Sequence, residues 1–394
     1  MTSKARRGGA MARAAIIGVG LIGGSWGMAL LRRGVAEEVV GYDTDSRSLQ
    51  RALELGAINR TAASLAEAVD EAELVVVAVP VGLAGEVAVQ ALHHSPPEAV
   101  VTDVASVKQP VMTAVAAAGA GAAERFVGGH PMTGSERAGV EAADPYLFEN
   151  AIYLLVPPHL PDASPESQVT SPLPETCSAG KPSALARVTR WVRSIGGLPL
   201  TVDADAHDRM VAAVSHLPHM VAVALVQAAA RTNATLPLTL ALAAGGFRDT
   251  TRIASGDPRL WTEILLANAG AILEAARSFT EGWEELLAAL ARQDRAQLEN
   301  LLAYSRRVRQ SLPVRQKGYL QPFYELVVEL EDRPGAIAEV TGIVAQAGIS
   351  IADIEILRAR EGFGGTLRLA MESEHARDHA LLLLGARGFR CRPR

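Results

Sequence analysis

The residues best able to do chemistry sit in four short stretches. GGHPMTGSE (128–136) carries His130. An imidazole titrates near neutral pH and can take the proton of a hydroxyl that is being oxidised. The same histidine could instead cap a turn ahead of Pro131. DVASVK (103–108) carries Ser106, which either hydrogen-bonds that hydroxyl or caps a helix beginning at Val107, two compatible roles. In the same stretch Asp103 reads as a structural carboxylate for backbone N–H groups, and Lys108 as a solvated first-turn residue. SHLPH (215–219) places Ser215, His216 and His219 in an apolar helical run, where histidines either bind a ligand or are buried and satisfied by backbone or water. No Cys or Glu stands at ligand spacing, so no metal is assigned. FRDTTRIA (247–254) offers Arg248 and Arg252 to a carboxylate, or to Asp249 as a structural pair. Trp261 reads as core, with lining of a cleft as its second role.

These side chains need a scaffold, and AAIIGVGLIGGS (14–25) supplies its centre. A short β-branched run precedes Gly18, Gly20 and Gly23, and a helical stretch follows to about Arg33. In that setting the first glycine permits a tight turn, the second lets backbone approach a pyrophosphate, and the third lets helix and strand pack closely. The backbone N–H groups from Leu21 and Ile22 onward would face the phosphates at the helix N-terminus. A second strand, VVGYD, ends at Asp43, where a carboxylate would bond the ribose hydroxyls and repel a 2′-phosphate. The expected cofactor is therefore NAD rather than NADP. Val79 and Pro80, in VAVPVG (77–82), and Ser106 stand at further strand ends and complete the expected cofactor site.

Strand candidates at Ala14–Ile17, Val39–Tyr42, Leu74–Val79, Val100–Asp103, Phe126–Gly128 and Ile152–Val156 alternate with helical segments such as Ser46–Leu55, Leu83–His93 and Val107–Ala118. This is an α/β pattern, a Rossmann-type doubly wound and mostly parallel sheet over residues 12–202. It is broken by a Pro- and Ser-rich stretch, 157–182, expected to be a flexible loop. A helix from about Ser183 to Ser194 and a strand near Leu200 close this domain. Residues 203–315 then read as all-helical, with more apolar positions than a small bundle buries, so a combined substrate and dimerisation domain is expected. From 323 to 394 the order strand, helix, strand, strand, helix, strand predicts a ferredoxin-like βαββαβ domain.

The chain has 394 residues and a formal net charge of −5, which argues against nucleic acid or an acidic membrane surface as partner. Met210–Ala230 is apolar enough to mimic a membrane span, but His216, Pro218, His219 and Gln227 interrupt it, and a fully buried helix, with a subunit interface as one place for it, is expected instead. Two cysteines, Cys177 and Cys391, lie far apart and fit a reducing, cytoplasmic setting. Residues 1–11 read as a disordered tail, with Met11 as an alternative start.

Taken together, GVGLIGGS (18–25), VVGYD (39–43), DVASVK, GGHPMTGSE, SHLPH and FRDTTRIA, in this order, resemble the prephenate dehydrogenases of tyrosine biosynthesis. EDRPGAIAEVTGIVAQAGISI (331–351) is similar to the ACT-domain signature that some of them carry. The resemblance implies NAD-dependent oxidative decarboxylation of prephenate to 4-hydroxyphenylpyruvate, CO2 and NADH. It implies His130 as the catalytic base, with Ser106 orienting it and the nicotinamide. His219 and Arg252, with Ser215, would bind substrate, Glu136 would gate the entrance, and Arg248 would support. It also implies a homodimer or higher homo-oligomer. The ACT domain would sense an amino acid, with tyrosine as the expected effector, through Asp332, Arg333, Pro334, Gly335 and Ala336, and through Ser350 on the opposing segment. Arogenate dehydrogenase is the alternative enzyme. A non-catalytic regulator that binds NAD and an amino acid is the alternative of another class, and His130, Ser106 and Arg252 argue against it.

Overall fold

Short runs rich in small and β-branched side chains, buried on both faces, build the inner strands of the larger sheet, as parallel strands require. The computed structural model describes residues 12–134, 137–158, 169–170, 182–312, 324–330, 333–357 and 365–393. Glu136, Asp332, Cys177, the first eleven residues and most of 157–182 lie outside the described residues. The chain divides into two units, Met1–Leu298 and Glu299–Arg394.

In the first unit the order is β1 (Arg13–Ile17), α1 (Leu21–Arg32), β2 (Glu38–Tyr42), α2 (Ser46–Glu54), β3 (Arg60–Thr61), α3 (Leu65–Val69), β4 (Leu74–Val77), α4 (Val81–His94), β5 (Val100–Asp103), α5 (Gln109–Ala117), α6 (Ala120–Ala123), β6 (Phe126–Pro131), β7 (Ile152–Val156), β8 (Val169–Thr170), α7 (Ala184–Ser194) and β9 (Leu198–Val202). The strands lie in the order β3-β2-β1-β4-β5-β6-β7-β9-β8. They are parallel from β3 through β6; β7 then runs antiparallel to β6, and β8 antiparallel to β9. Alternate residues of β1 enter opposite cores, Ala14 and Ile16 on one face with Trp26 and Phe148, Ala15 and Ile17 on the other with Val75 and Val101. Strand order reverses between β2 and β4 on either side of β1, which opens a ligand crevice at their carboxyl ends.

Two boundaries differ from the sequence reading in ways that matter. The strand bearing His130 runs on to Pro131, because β7 pairs with it there, His130 opposite Leu154 and Pro131 opposite Tyr153. His130 is therefore on a strand and not in a turn. The helix after β5 begins at Gln109 and not at Val107.

Beyond β9, the first unit becomes helical: α8 (Ala204–Val211), a π-helical turn Ala212–His216, α9 (Leu217–Thr235), α10 (Gly245–Thr251), a 3₁₀ turn Arg252–Ser255, α11 (Pro258–Ala267), α12 (Ala269–Ala291) and the start of α13 (Arg295–Ser311). Within the single chain α9 is not fully buried, which leaves its burial to a subunit interface. Only His219 and Ala222 are buried in it, and Met220, Leu225 and Val226 are exposed. α8 through α9 is long and apolar enough to cross a membrane by length and composition alone. Leu242, Leu266, Leu273, Trp283 and Leu290 are exposed on the neighbouring segments, so the apolar excess lies on the surface of the single chain.

The second unit holds β10 (Tyr324–Leu330), α14 (Ala336–Gln346), β11 (Asp353–Leu357), β12 (Gly365–Met371), α15 (Glu374–Ala386) and β13 (Cys391–Pro393), with sheet order β11-β12-β10-β13. This is the βαββαβ arrangement. Leu326, Val328, Leu367, Leu369 and Met371 alternate onto the face that packs with Val340, Val344, Ala380 and Leu384. On the opposite face Arg368 is buried among Glu325, Asp353 and Glu355. β11 starts at Asp353, later than the Ile349 expected from its apolar run.

Candidate active site

The glycine turn after β1 is built by contact as much as by conformation. Gly18 has φ +92°, and its N–H donates to the Tyr42 carbonyl at 2.8 Å. A Cβ on Gly23 would lie 2.0 Å from the Gly18 carbonyl oxygen, so no larger residue fits there. A Cβ on Gly20, in contrast, would meet nothing within 4 Å. Gly20 caps α1 without a side-chain hydrogen bond, and the first turn, with Leu21 and Ile22 half-buried, carries no acidic residue. Open space over an uncapped helix N-terminus is what a pyrophosphate needs. Asp43 accepts the Val19 N–H at 3.0 Å through Oδ2 and the Asp45 N–H at 2.9 Å through Oδ1. These bonds fix the carboxylate beside the turn, where it can accept ribose hydroxyls. Val79 is half-buried just past β4, and Pro80 caps α4. The residues present fit a dinucleotide.

Two strands along, β5 and β6 end in a buried polar knot. Asp103 accepts N–H groups from Ala105 at 3.0 Å and Gly129 at 2.9 Å, as the sequence suggested. Lys108 does not fit the solvated role expected of it. It is fully buried, its ammonium pairs with Asp103, and it donates to the Gly129 carbonyl at 2.7 Å. Burial pushes its pKa down, and the neighbouring Asp103 and Asp208 charges oppose that shift. The knot ties the loop carrying Ser106 to the strand carrying His130.

Ser106 is half-buried and does not cap a helix, since Lys108 holds the N-cap position of α5 without a side-chain bond. Asp208 of α8 does the capping from a distance. Its Oδ1 accepts the Lys108 N–H at 2.7 Å and its Oδ2 the Gln109 N–H at 2.8 Å. His130 is half-buried and its Nδ1 lies 2.9 Å from Nε2 of His207, whose Nδ1 lies 2.7 Å from Asp208 Oδ1. Desolvation, followed by the His207, Lys108 and His216 charges, holds His130 well below the usual imidazole range. It is therefore neutral near pH 7, the state in which an imidazole can accept a proton.

The helical segments bring the second histidine group. The π turn holds Ser215, half-buried, and His216, fully buried and pulled by desolvation to a pKa of about 4. Asn268 donates to the Asp208 carbonyl at 2.8 Å and meets His216 Nδ1 at 3.1 Å, which braces the turn against α8. His219 stacks on Trp261 with ring centroids 3.5 Å apart and planes 9° apart. The Ile253 backbone hydrogen-bonds to His219, and its Nδ1 is buried with no partner among the described residues. Burial lowers the pKa of this ring as well. Arg252 begins the 3₁₀ turn that contains Ile253, and is exposed; Arg248, on α10, is exposed too.

Sequence reasoning missed His207, Asp208 and Asn268. The one trace of the first two was AHD (206–208), a polar pair about two helical turns before Ser215 and His216.

Comparison with known proteins agrees with this geometry. Residues 26–172 match the family model for the prephenate dehydrogenase nucleotide-binding domain, 203–304 that for the prephenate dehydrogenase dimerization domain, and 324–382 that for the ACT domain. The chain is 34% identical over 376 residues to prephenate dehydrogenase of Bacillus subtilis, covering 94% of this chain and 95% of the relative. It is 30% identical over 364 residues to that of Lactococcus lactis, covering 92% and 94%. Its fold is similar to the crystal structure of Aquifex aeolicus prephenate dehydrogenase in complex with hydroxyphenyl propionate and NAD+ (TM-score 0.67, 29% identity, 78% of this chain and 100% of that one). It is also similar to Synechocystis arogenate dehydrogenase (TM-score 0.61, 29% identity, 76% and 99%). With its glycine turn, its imidazole near the end of the sixth strand and 34% identity to the Bacillus subtilis enzyme over nearly the whole of both chains, the chain belongs to the prephenate dehydrogenase family.

Proposed function

We propose that this protein oxidises and decarboxylates prephenate to 4-hydroxyphenylpyruvate and CO2, with NAD reduced to NADH. NAD, when bound, supplies the hydride acceptor. The observation that carries the reading is His130: a neutral imidazole, anchored through Nδ1, near the carboxyl end of β6, a strand parallel to those that carry the glycine turn and Asp43. His130 takes the hydroxyl proton as hydride leaves the same carbon. The ring carboxylate then departs as CO2, its bonding pair completes the aromatic ring, and the phenolate oxygen so formed takes a proton back. Aromatisation makes the step downhill, so the protein has chiefly to align and polarise. Ser106 steadies the hydroxyl from the adjoining loop. His219 and Arg252, with Ser215 and with Arg248 in support, hold the substrate carboxylates.

The test is NADH formation from prephenate and, separately, from arogenate. Turnover of arogenate alone would overturn the assignment. Replacing Arg252 by Ala should raise KM for prephenate by about ten- to a hundredfold, the loss of one charge-assisted pair, with little change in NAD affinity. An unchanged KM would remove Arg252 from the substrate site.

The exposed apolar helices between 203 and 304 support a homo-oligomer built on this region. For the ACT unit we propose tyrosine as a feedback effector. In support, Gly335 is left-handed at φ +88° and starts α14 without a side-chain cap, Arg333 is held by Glu339 at 2.6 Å, Ala336 is buried, and Pro334 and Ser350 are exposed. Tyrosine should lower NADH production by the full chain; no effect at millimolar tyrosine would refute it as effector.

A further inference from the structure

We propose that His207 and Asp208 act as a positioning relay that fixes where the protons of His130 sit, leaving Nε2 as its proton-accepting nitrogen. The inference rests on the assignment of His130 as the base and concerns two residues that touch neither substrate nor cofactor in that assignment.

The register follows from counting donors. Backbone N–H groups can only donate, and Asp208 receives two of them, from Lys108 at 2.7 Å and Gln109 at 2.8 Å. Toward its third neighbour, His207 Nδ1 at 2.7 Å, the carboxylate is again the acceptor, so Nδ1 carries the hydrogen. His207 is fully buried and burial favours its neutral form, against the pull of Asp208. A neutral ring with hydrogen on Nδ1 presents a lone pair at Nε2. The atom facing that lone pair at 2.9 Å is His130 Nδ1, which must therefore donate. One hydrogen on Nδ1 of a neutral His130 leaves Nε2 bare.

The consequence is catalytic as well as geometric. When His130 accepts a proton at Nε2, the growing positive charge is met at Nδ1 by an acceptor backed by a carboxylate. A carboxylate that orients one imidazole and stabilises its cation is a known device; here a second imidazole stands between the two. The other charged or titratable groups around His130, among the described residues, are Lys108 and Asp103 from the β5 loop and His216 from the π turn. His207, Lys108 and His216 all disfavour the imidazolium when charged, so His207 supports that cation only as a neutral acceptor, the form that its burial favours.

His207→Phe keeps a ring of similar size and removes both hydrogen bonds. It should lower kcat for prephenate by about ten- to a hundredfold, with KM and NAD affinity within about twofold. It should also move the acidic limb of the kcat/KM profile to lower pH, because His130 without its acceptor is a weaker base. His207→Gln places an amide oxygen near the site of Nε2 and should recover part of the rate and return the limb toward its original position. An unmoved limb, or one moved to higher pH, would overturn the relay. Should His207→Phe fail to fold, long-range ¹H–¹⁵N spectra of the wild-type protein decide the matter: the ring signal lost in His130→Asn should belong to the Nδ1–H tautomer, and the Nε2–H tautomer would refute the proposal. If the wild-type protein makes no NADH from prephenate, the assigned reaction fails while the tautomer measurement still reads the relay.

Discussion

His130→Asn should cut kcat by about 10²- to 10⁴-fold and leave NAD binding nearly intact, the range lost when a positioned general base is removed. Asparagine is a well-matched probe at this site. Its amide nitrogen occupies roughly the place of Nδ1 and can still donate to His207 Nε2, so the local bonding around the 2.9 Å contact is kept. What disappears is Nε2. Because the glycine turn and Asp43 are carried by β1 and β2, on the far side of β4 and β5, the dinucleotide site should be untouched. Steady-state NADH formation and titration of NAD by calorimetry separate the two effects. Turnover within a few-fold of wild type would dismiss His130 as the base.

Lys108→Met should destabilise the first unit by about 3–5 kcal/mol, the usual result of leaving one partner of a buried ion pair alone. Both side chains are fully buried, and Asp103 would keep only the Ala105 and Gly129 N–H groups as donors. The Gly129 carbonyl would also lose its donor. Urea unfolding of the purified protein measures the loss. The paired change Asp103→Asn with Lys108→Met should recover much of it, because the uncompensated charge is gone. If the single variant is as stable as wild type, the pair does not hold the two strand ends together.

The contrast between Lys108 and Gly18 shows what one chain of letters reveals. The role of a glycine in a strand–turn–helix is local: φ +92° at Gly18 and the 2.0 Å approach at Gly23 involve residues a few positions apart, and spacing alone predicts them. The alternation of β-branched runs with helical segments likewise carries the doubly wound sheet and the βαββαβ unit, since burial of each element is written into its own period. Lys108 reads as a first-turn cation because lysine is seldom buried. Its burial depends on Asp103 and Gly129, brought beside it by strand pairing that no window of sequence displays. The same holds for Asp208, which caps a helix 100 residues earlier and so frees Ser106 from that duty. His130 reads as lying just past a strand because the strand that extends β6 arrives from 152–156 and runs antiparallel to it. The exposure of α9 has a similar origin: apolar composition tells that a face is covered, and not by which chain.

The wider winding at Ala212–His216 sets a length rule for this region. Each residue added to or taken from a helix swings everything beyond it by about 100° around the axis. His207 and Asp208 stand before that turn, His216 ends it, and His219 follows it. That turn already takes up one extra residue, so losing one would restore ordinary pitch with both flanks nearly in place, whereas gaining another would rotate the later histidines off Asn268 and Trp261, though every side chain concerned were still present. Point changes in the segment are thus graded in their cost, whereas a single-codon insertion should silence the enzyme outright.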